Sequence, residues 1–124
     1  MKRLLVVEDD PTIMSLIVIL LEREGYGVIQ AISAEEGICL AAEQAPNLIL
    51  MDVALPGMDG LEATRLLKSR EGTSRIPVVA LTAQAMKQDA ERAALAGCDG
   101  FIVKPLSTPQ FLIEIARFLG VAKA

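Results

Sequence analysis

Apolar residues fall along this chain in two alternating rhythms. Short uniform runs, Leu4–Val7, Gly27–Ala31, Leu48–Met51, Val78–Leu81 and Phe101–Val103, are separated by longer stretches of helical spacing near 12–24, 34–45, 60–70, 84–96 and 108–119. The short runs lack regular polar alternation, which suits strands of a parallel sheet covered on both faces. The boundaries carry the punctuation that helices need. Pro11 fits a first turn and Gly25 a stop, while Ser33 with Glu36 and Asp59 with Glu62 have capping-box spacing. Gly97 closes the fourth helical stretch and Pro109 opens the fifth. Five strand–helix repeats joined by right-handed crossovers predict an α/β fold, a doubly wound five-stranded parallel sheet in the order 2-1-3-4-5.

Composition narrows the function. The 124 residues suit a single domain over 1–124 with no output domain, and no linker, repeat or low-complexity segment interrupts them. Hydrophobic residues make up 52% and aromatics only 3%, so the core must be aliphatic. A net charge of −4 argues against nucleic-acid binding, which needs a basic face. The chain has no histidine, which excludes Ser-His-Asp and Cys-His catalysis, histidine-ligated zinc and a phosphohistidine of its own. Cys39 and Cys98 lack metal-binding or redox spacing and are expected as reduced thiols. The apolar run after Met1-Lys2-Arg3 is too short for a signal peptide, and Ile13 to Leu21, broken by Ser15, is too short to span a membrane. The expected setting is the cytoplasm, with no membrane partner.

Chemistry concentrates where the strands end. In doubly wound sheets, ligands bind outside the carboxyl ends of the strands at the switch point. The first strand is followed by Glu8, Asp9 and Asp10, the third by Asp52, the fourth by Thr82 and the fifth by Lys104. The second strand, outside the expected site, ends in Ala31-Ile32. Taken singly, each has an ordinary explanation: Asp10 before Pro11 reads as a helix cap, and a lone Asp, Thr or Lys as a turn residue. Taken together they do not. Neighbouring first and third strands would gather Glu8, Asp9 and Asp52 into one cleft, where like charges raise each other's pKa. A hard divalent cation such as Mg²⁺ relieves that repulsion, and Lys104 and Thr82 add an ammonium and a hydroxyl suited to phosphate.

Four segments carry a resemblance. Leu5-Val6-Val7-Glu8-Asp9-Asp10-Pro11, Leu50 to Gly60 around Met51-Asp52-Val53, Ala80-Leu81-Thr82-Ala83 and Phe101-Ile102-Val103-Lys104-Pro105 resemble bacterial response-regulator receiver domains of the stand-alone CheY- and DivK-like kind. The stretch Thr82 to Asp89 also resembles receivers attached to hybrid histidine kinases. The resemblance implies a flavodoxin/CheY-like (βα)5 sandwich and a role in two-component signalling. Asp52 would be the phosphoacceptor. Mg²⁺ would be held by Glu8 through water, by Asp9, by Asp52 and by the backbone carbonyl of Ala54. Lys104 would pair with Asp52 and then with a phosphoryl oxygen, and the Lys104–Pro105 bond would be cis. Thr82 and Phe101 would form the switch, with Ala54 and Gln84 tuning the phosphoryl lifetime. The donor would be a histidine kinase or histidine phosphotransfer protein, and a downstream protein would receive the signal. Such a domain is a phosphoacceptor, not an enzyme. Alternatives are a receiver excised from a hybrid kinase, a Mg²⁺-dependent phosphatase, disfavoured because Ala54 stands where a second acid is common, and a flavodoxin, disfavoured by three carboxylates in place of a phosphate loop.

The first helix carries more apolar residues than one buried stripe needs. At 100° per residue, Ile13, Leu16, Ile17, Leu20 and Leu21 line the expected buried side. Met14, Val18 and Ile19 are then expected to form an exposed patch that docks a helical partner.

Overall fold

The computed structural model describes residues 1–55, 57–82, 87–104 and 108–120. Strands and helices alternate as β1 (Arg3–Val7), α1 (Pro11–Arg23), β2 (Gly27–Ala31), α2 (Ala34–Gln44), β3 (Leu48–Asp52), α3 (Gly60–Ser69), β4 (Val78–Thr82), α4 (Lys87–Ala96), β5 (Gly100–Val103) and α5 (Thr108–Phe118). The strands form one parallel sheet in the order β2-β1-β3-β4-β5. Both expectations, the fold class and the strand order, hold. Residues 84–86 of the expected fourth helix, with Gln84, lie outside the described residues.

Alternation within the strands divides the core in two. Leu4 and Val6, Leu48 and Leu50, and Val79 and Leu81 pack with α1 and α5 on one face. Leu5 and Val7, Ile49 and Met51, and Val78 pack on the other, beneath α2 and α3, where Ala80 meets α4. The inner positions of β1, β3 and β4 are therefore apolar on both faces yet still obey the period of two. The aliphatic core expected from composition is present, with Phe111 as its one fully buried aromatic side chain among the described residues. Cys39 is exposed and Cys98 half-buried, both free. None of the described helices is long and apolar enough to cross a membrane.

The helix starts follow the sequence signals. Asp10 Oδ1 accepts from the Thr12 and Ile13 amides at 2.8 and 3.3 Å, so it caps α1. Ser33 Oγ accepts from Glu36 N at 3.1 Å, and Glu36 reaches back to the amide of Ile32 at 2.8 Å. Asp59 caps α3 through Glu62 N at 2.8 Å.

The face of α1 differs from expectation. Met14 is buried at 5% exposure and Val18 is half-buried against the core, whereas Leu16 is 44% and Ile19 54% exposed. The patch expected from Met14, Val18 and Ile19 is thus reduced to Ile19, joined by Leu16. The reason is that α1 rests on β2 and against α5 at once. Two neighbours set its buried arc, and a stripe drawn for one covering surface is rotated relative to it.

The end of α2 stores strain. Ala45 caps it in the left-handed region, at φ 45° and ψ 63°, with its amide bonded to Ala41 O. This conformation costs a Cβ-bearing residue roughly 1–2 kcal/mol and a glycine almost nothing. Ala45→Gly is expected to raise unfolding stability by about 0.5–1 kcal/mol after its extra chain entropy is subtracted, read as a higher urea midpoint at unchanged slope.

Candidate functional site

The sheet register gathers the polar strand ends. Val7 pairs with Met51, so Glu8 and Asp52 follow side by side. Asp52 pairs with Leu81 and Thr82 with Val103, which brings Lys104 next. The backbone ladder runs into the site: Glu8 N donates to Ala31 O at 3.0 Å, Val53 N to Leu81 O at 3.0 Å and Lys104 N to Thr82 O at 2.7 Å. The alternation of the core then sorts the side chains. Glu8, Asp52 and Lys104 continue the face of Val6, Leu50 and Ile102, whereas Thr82 continues the face of Val78 and Ala80.

Carboxylate oxygens of Glu8, Asp9 and Asp52 lie within 4.8 Å of one another. Glu8 and Asp52 are buried, at 1% and 3% exposure, while Asp9 is exposed. The Lys104 ammonium donates to Glu8 Oε1 at 2.7 Å and to Asp52 Oδ2 at 3.1 Å. The remaining oxygens are held by backbone amides: Asp52 Oδ1 accepts from Ala54 N at 2.9 Å and Glu8 Oε2 from Asp10 N at 3.1 Å. The pairing expected between Lys104 and Asp52 is present, and Glu8 shares it at the shorter distance.

Burial, above all, pushes the Glu8 carboxyl above its ordinary range, and neighbouring Asp52 adds to the rise, against the pull of Lys104 and the Asp10 amide. Burial by itself would lower the Lys104 ammonium, but the bonds and charges of Glu8 and Asp52 outweigh it and hold Lys104 above the ordinary lysine range. One ammonium facing three acids leaves a net negative cleft lined with oxygen donors, the chemistry of a hard-cation site.

Gly60 is a site residue that the sequence reading passed over. A Cβ on it would lie 2.1 Å from the backbone oxygen of Asp52. The first turn of α3 therefore lies directly against the peptide of Asp52, and Thr64 Oγ1 fixes that turn by donating to Gly60 O at 2.8 Å. The available signal was glycine at the first helical position, where it costs helix stability and so indicates close approach.

On the other face, Thr82 and Phe101 line one cavity of about 220 Å³, together with Ala54, Asp59 and Arg92. Phe101 lies on edge strand β5 and is 37% exposed. Pro105 and its peptide bond lie outside the described residues.

Comparison with known proteins agrees with this geometry. The model of the response regulator receiver domain matches residues 4–116. The chain belongs to the response regulator receiver domain family. It is 46% identical over 121 residues to the polar-differentiation response regulator DivK of Brucella ovis, a match that spans 98% of each chain. The receiver domain of a Pseudomonas aeruginosa sensor histidine kinase, solved with a magnesium ion coordinated in its active site cleft, superposes with a TM-score of 0.89. It is 33% identical over 96% of this chain and 98% of that one. The chemotaxis protein CheY4 of Vibrio cholerae shares the fold at a TM-score of 0.90 and 24% identity, over 95% and 98% of the two chains.

The raised Glu8 carboxyl sets a pH dependence. Its folded pKa lies above the unfolded value, so the stability it contributes is complete below the ordinary carboxylate range and lost as pH rises through the raised value. In chelator-treated protein, the stability of Glu8→Gln relative to wild type is therefore expected to improve as pH climbs from acid to neutral. Parallel urea titrations of the two proteins across that range check it; a pH-independent difference would contradict the assignment.

Proposed function

We propose that this chain is a phosphorylation switch in which Asp52 accepts a phosphoryl group from a phosphohistidine on a histidine kinase or a histidine phosphotransfer protein. The observation that carries this reading is one ammonium, Lys104, bridging two buried carboxylates at 2.7 and 3.1 Å in a three-acid cleft. Glu8, Asp9, Asp52 and the Ala54 carbonyl offer the hard oxygen donors that Mg²⁺ takes, and the magnesium ion in the Pseudomonas receiver's cleft supports that choice. Bound there, the ion would neutralise negative charge on the phosphoryl oxygens.

The residues divide the remaining work. The Asp52 carboxylate attacks phosphorus in line as the bond to the donor's imidazole nitrogen breaks, giving an acyl phosphate. Lys104, already on Asp52 Oδ2, takes a phosphoryl oxygen. Water later cleaves the acyl phosphate to inorganic phosphate and restores the carboxylate, with the residue types at positions 54 and 84 tuning how long the phosphoryl group lasts. The Thr82 hydroxyl moves toward the phosphoryl group, and the Phe101 ring turns into the cavity that the two share. Phe101 carries no hydroxyl to offer a partner, so the output is a change of packed surface read by a downstream protein. The setting is the cytoplasm, and residues 1–124 act as one receiver domain.

A small phosphodonor with Mg²⁺ is expected to modify Asp52, located by mass spectrometry of the trapped peptide. Asp52→Asn should take no label, and Lys104→Ala should slow labelling by at least about tenfold. Lowering the pH through the raised Glu8 carboxyl should weaken Mg²⁺ binding, because the proton competes for the same oxygen. Label elsewhere than Asp52, or sustained turnover of unrelated phosphoesters, would overturn the reading.

Leu16 and Ile19, exposed one turn apart on α1, are proposed to meet the helical protein that carries the phosphohistidine. Leu16→Lys with Ile19→Lys is expected to slow transfer from the protein donor while leaving labelling by the small donor intact. Equal rates from the protein donor would end the assignment.

A further inference from the structure

The cavity beside Thr82 faces two opposite charges that the phosphoryl chemistry leaves unused. Arg92 of α4 and Asp59, the cap of α3, both line it. Arg92 is exposed and makes no hydrogen bond or ion pair with any described residue. Asp59 uses Oδ1 for the Glu62 amide, and its carboxylate forms no ion pair among the described residues. The helices that carry the two charges pack against each other. Ala80 and Ala93 hold the cavity open at about 220 Å³, and Phe101 stands at its edge, 37% exposed.

We propose that Arg92 and Asp59 are a latch, an ion pair that closes across this cavity only when Asp52 is phosphorylated and the Phe101 ring occupies the space. The inference rests on the phosphoryl switch set out above. An aromatic ring in the cavity excludes water from between the two charges and strengthens their attraction. A contact made in one state alone shifts the population toward that state by its full free energy; a contact made in both shifts nothing. A partly exposed pair of this kind is worth about a threefold change in the equilibrium. Arg92 is thus a positioning residue, acting on the switch without touching the phosphoryl group.

The test is calorimetric titration of the full chain with beryllofluoride in saturating Mg²⁺, beryllofluoride standing for the phosphoryl group on Asp52. Arg92→Gln and Asp59→Asn remove the charges, and asparagine keeps the helix cap. Each substitution is expected to weaken beryllofluoride binding by about threefold, and the double variant no further. Added salt should shrink the wild-type advantage. Mg²⁺ affinity without beryllofluoride should be unchanged in Arg92→Gln. An Arg92→Gln variant that binds as wild type does would overturn the latch, and so would additive losses in the double variant. Loss in Arg92→Gln with none in Asp59→Asn would instead put the guanidinium on the phosphoryl group itself and also sink the pairing. Wild-type protein that fails to bind beryllofluoride at Asp52 would bring down the switch reading, and the latch with it, before any variant is made.

Discussion

Two buried carboxylates sharing one ammonium is the arrangement on which the rest of this molecule depends. Glu8 and Asp52 place two like groups in one buried cleft, where little water reaches them to offset their repulsion. Lys104 supplies compensation at 2.7 and 3.1 Å, from a residue 52 positions beyond Asp52 and 96 beyond Glu8. The site therefore exists only when β1, β3, β4 and β5 are in register, a register set by the pairing of strands whose inner positions are apolar. The compensation is also incomplete: Asp9 stands in the same group with no second cation among the described residues. A cluster left short of positive charge is one that a divalent ion and a phosphoryl group can each reorganise.

The period of two in the strands gives the site its internal division. Side chains that continue the α1–α5 face, Glu8, Asp52 and Lys104, form the charged cleft. Thr82, on the opposite parity, borders the cavity that Phe101 shares. The chemistry and the motion proposed here therefore occupy opposite faces of one sheet, connected where Thr82 ends β4 beside Asp52. In the proposed switch, a charge change on one face would become a packing change on the other through the Thr82 hydroxyl, across a close-packed sheet of low compressibility.

Much of this was legible in the sequence, and for physical reasons. Short continuous apolar runs at regular intervals between helical stretches suit strands of a covered parallel sheet, and once their order is assumed, the residues after them converge. The helix caps were equally readable, since Asp10, Ser33 and Asp59 act within three residues of themselves. What escaped depended on distant neighbours. The face of α1 was misjudged at Met14 and Leu16 because α5, nearly a hundred residues on, shares in burying it. Gly60 was passed over because its importance lies in an atom it lacks, next to the carbonyl of Asp52. The bond from Lys104 to Glu8 was not anticipated because pairing had been considered one carboxylate at a time.

That shared bond also indicates how the cleft can respond to a phosphoryl group. In this structure Lys104 lies closer to Glu8 than to Asp52. Phosphorylation would put three further oxygens on Asp52, so the balance of attraction on the ammonium would tilt from Glu8 toward the modified residue. Glu8 would then need another positive partner to remain ionised at 1% exposure. The same step thus makes Lys104 available to the phosphoryl group and sharpens the demand for a cation at Glu8 and Asp9. Cation binding and phosphorylation should accordingly favour one another, because each relieves the charge that the other leaves uncompensated.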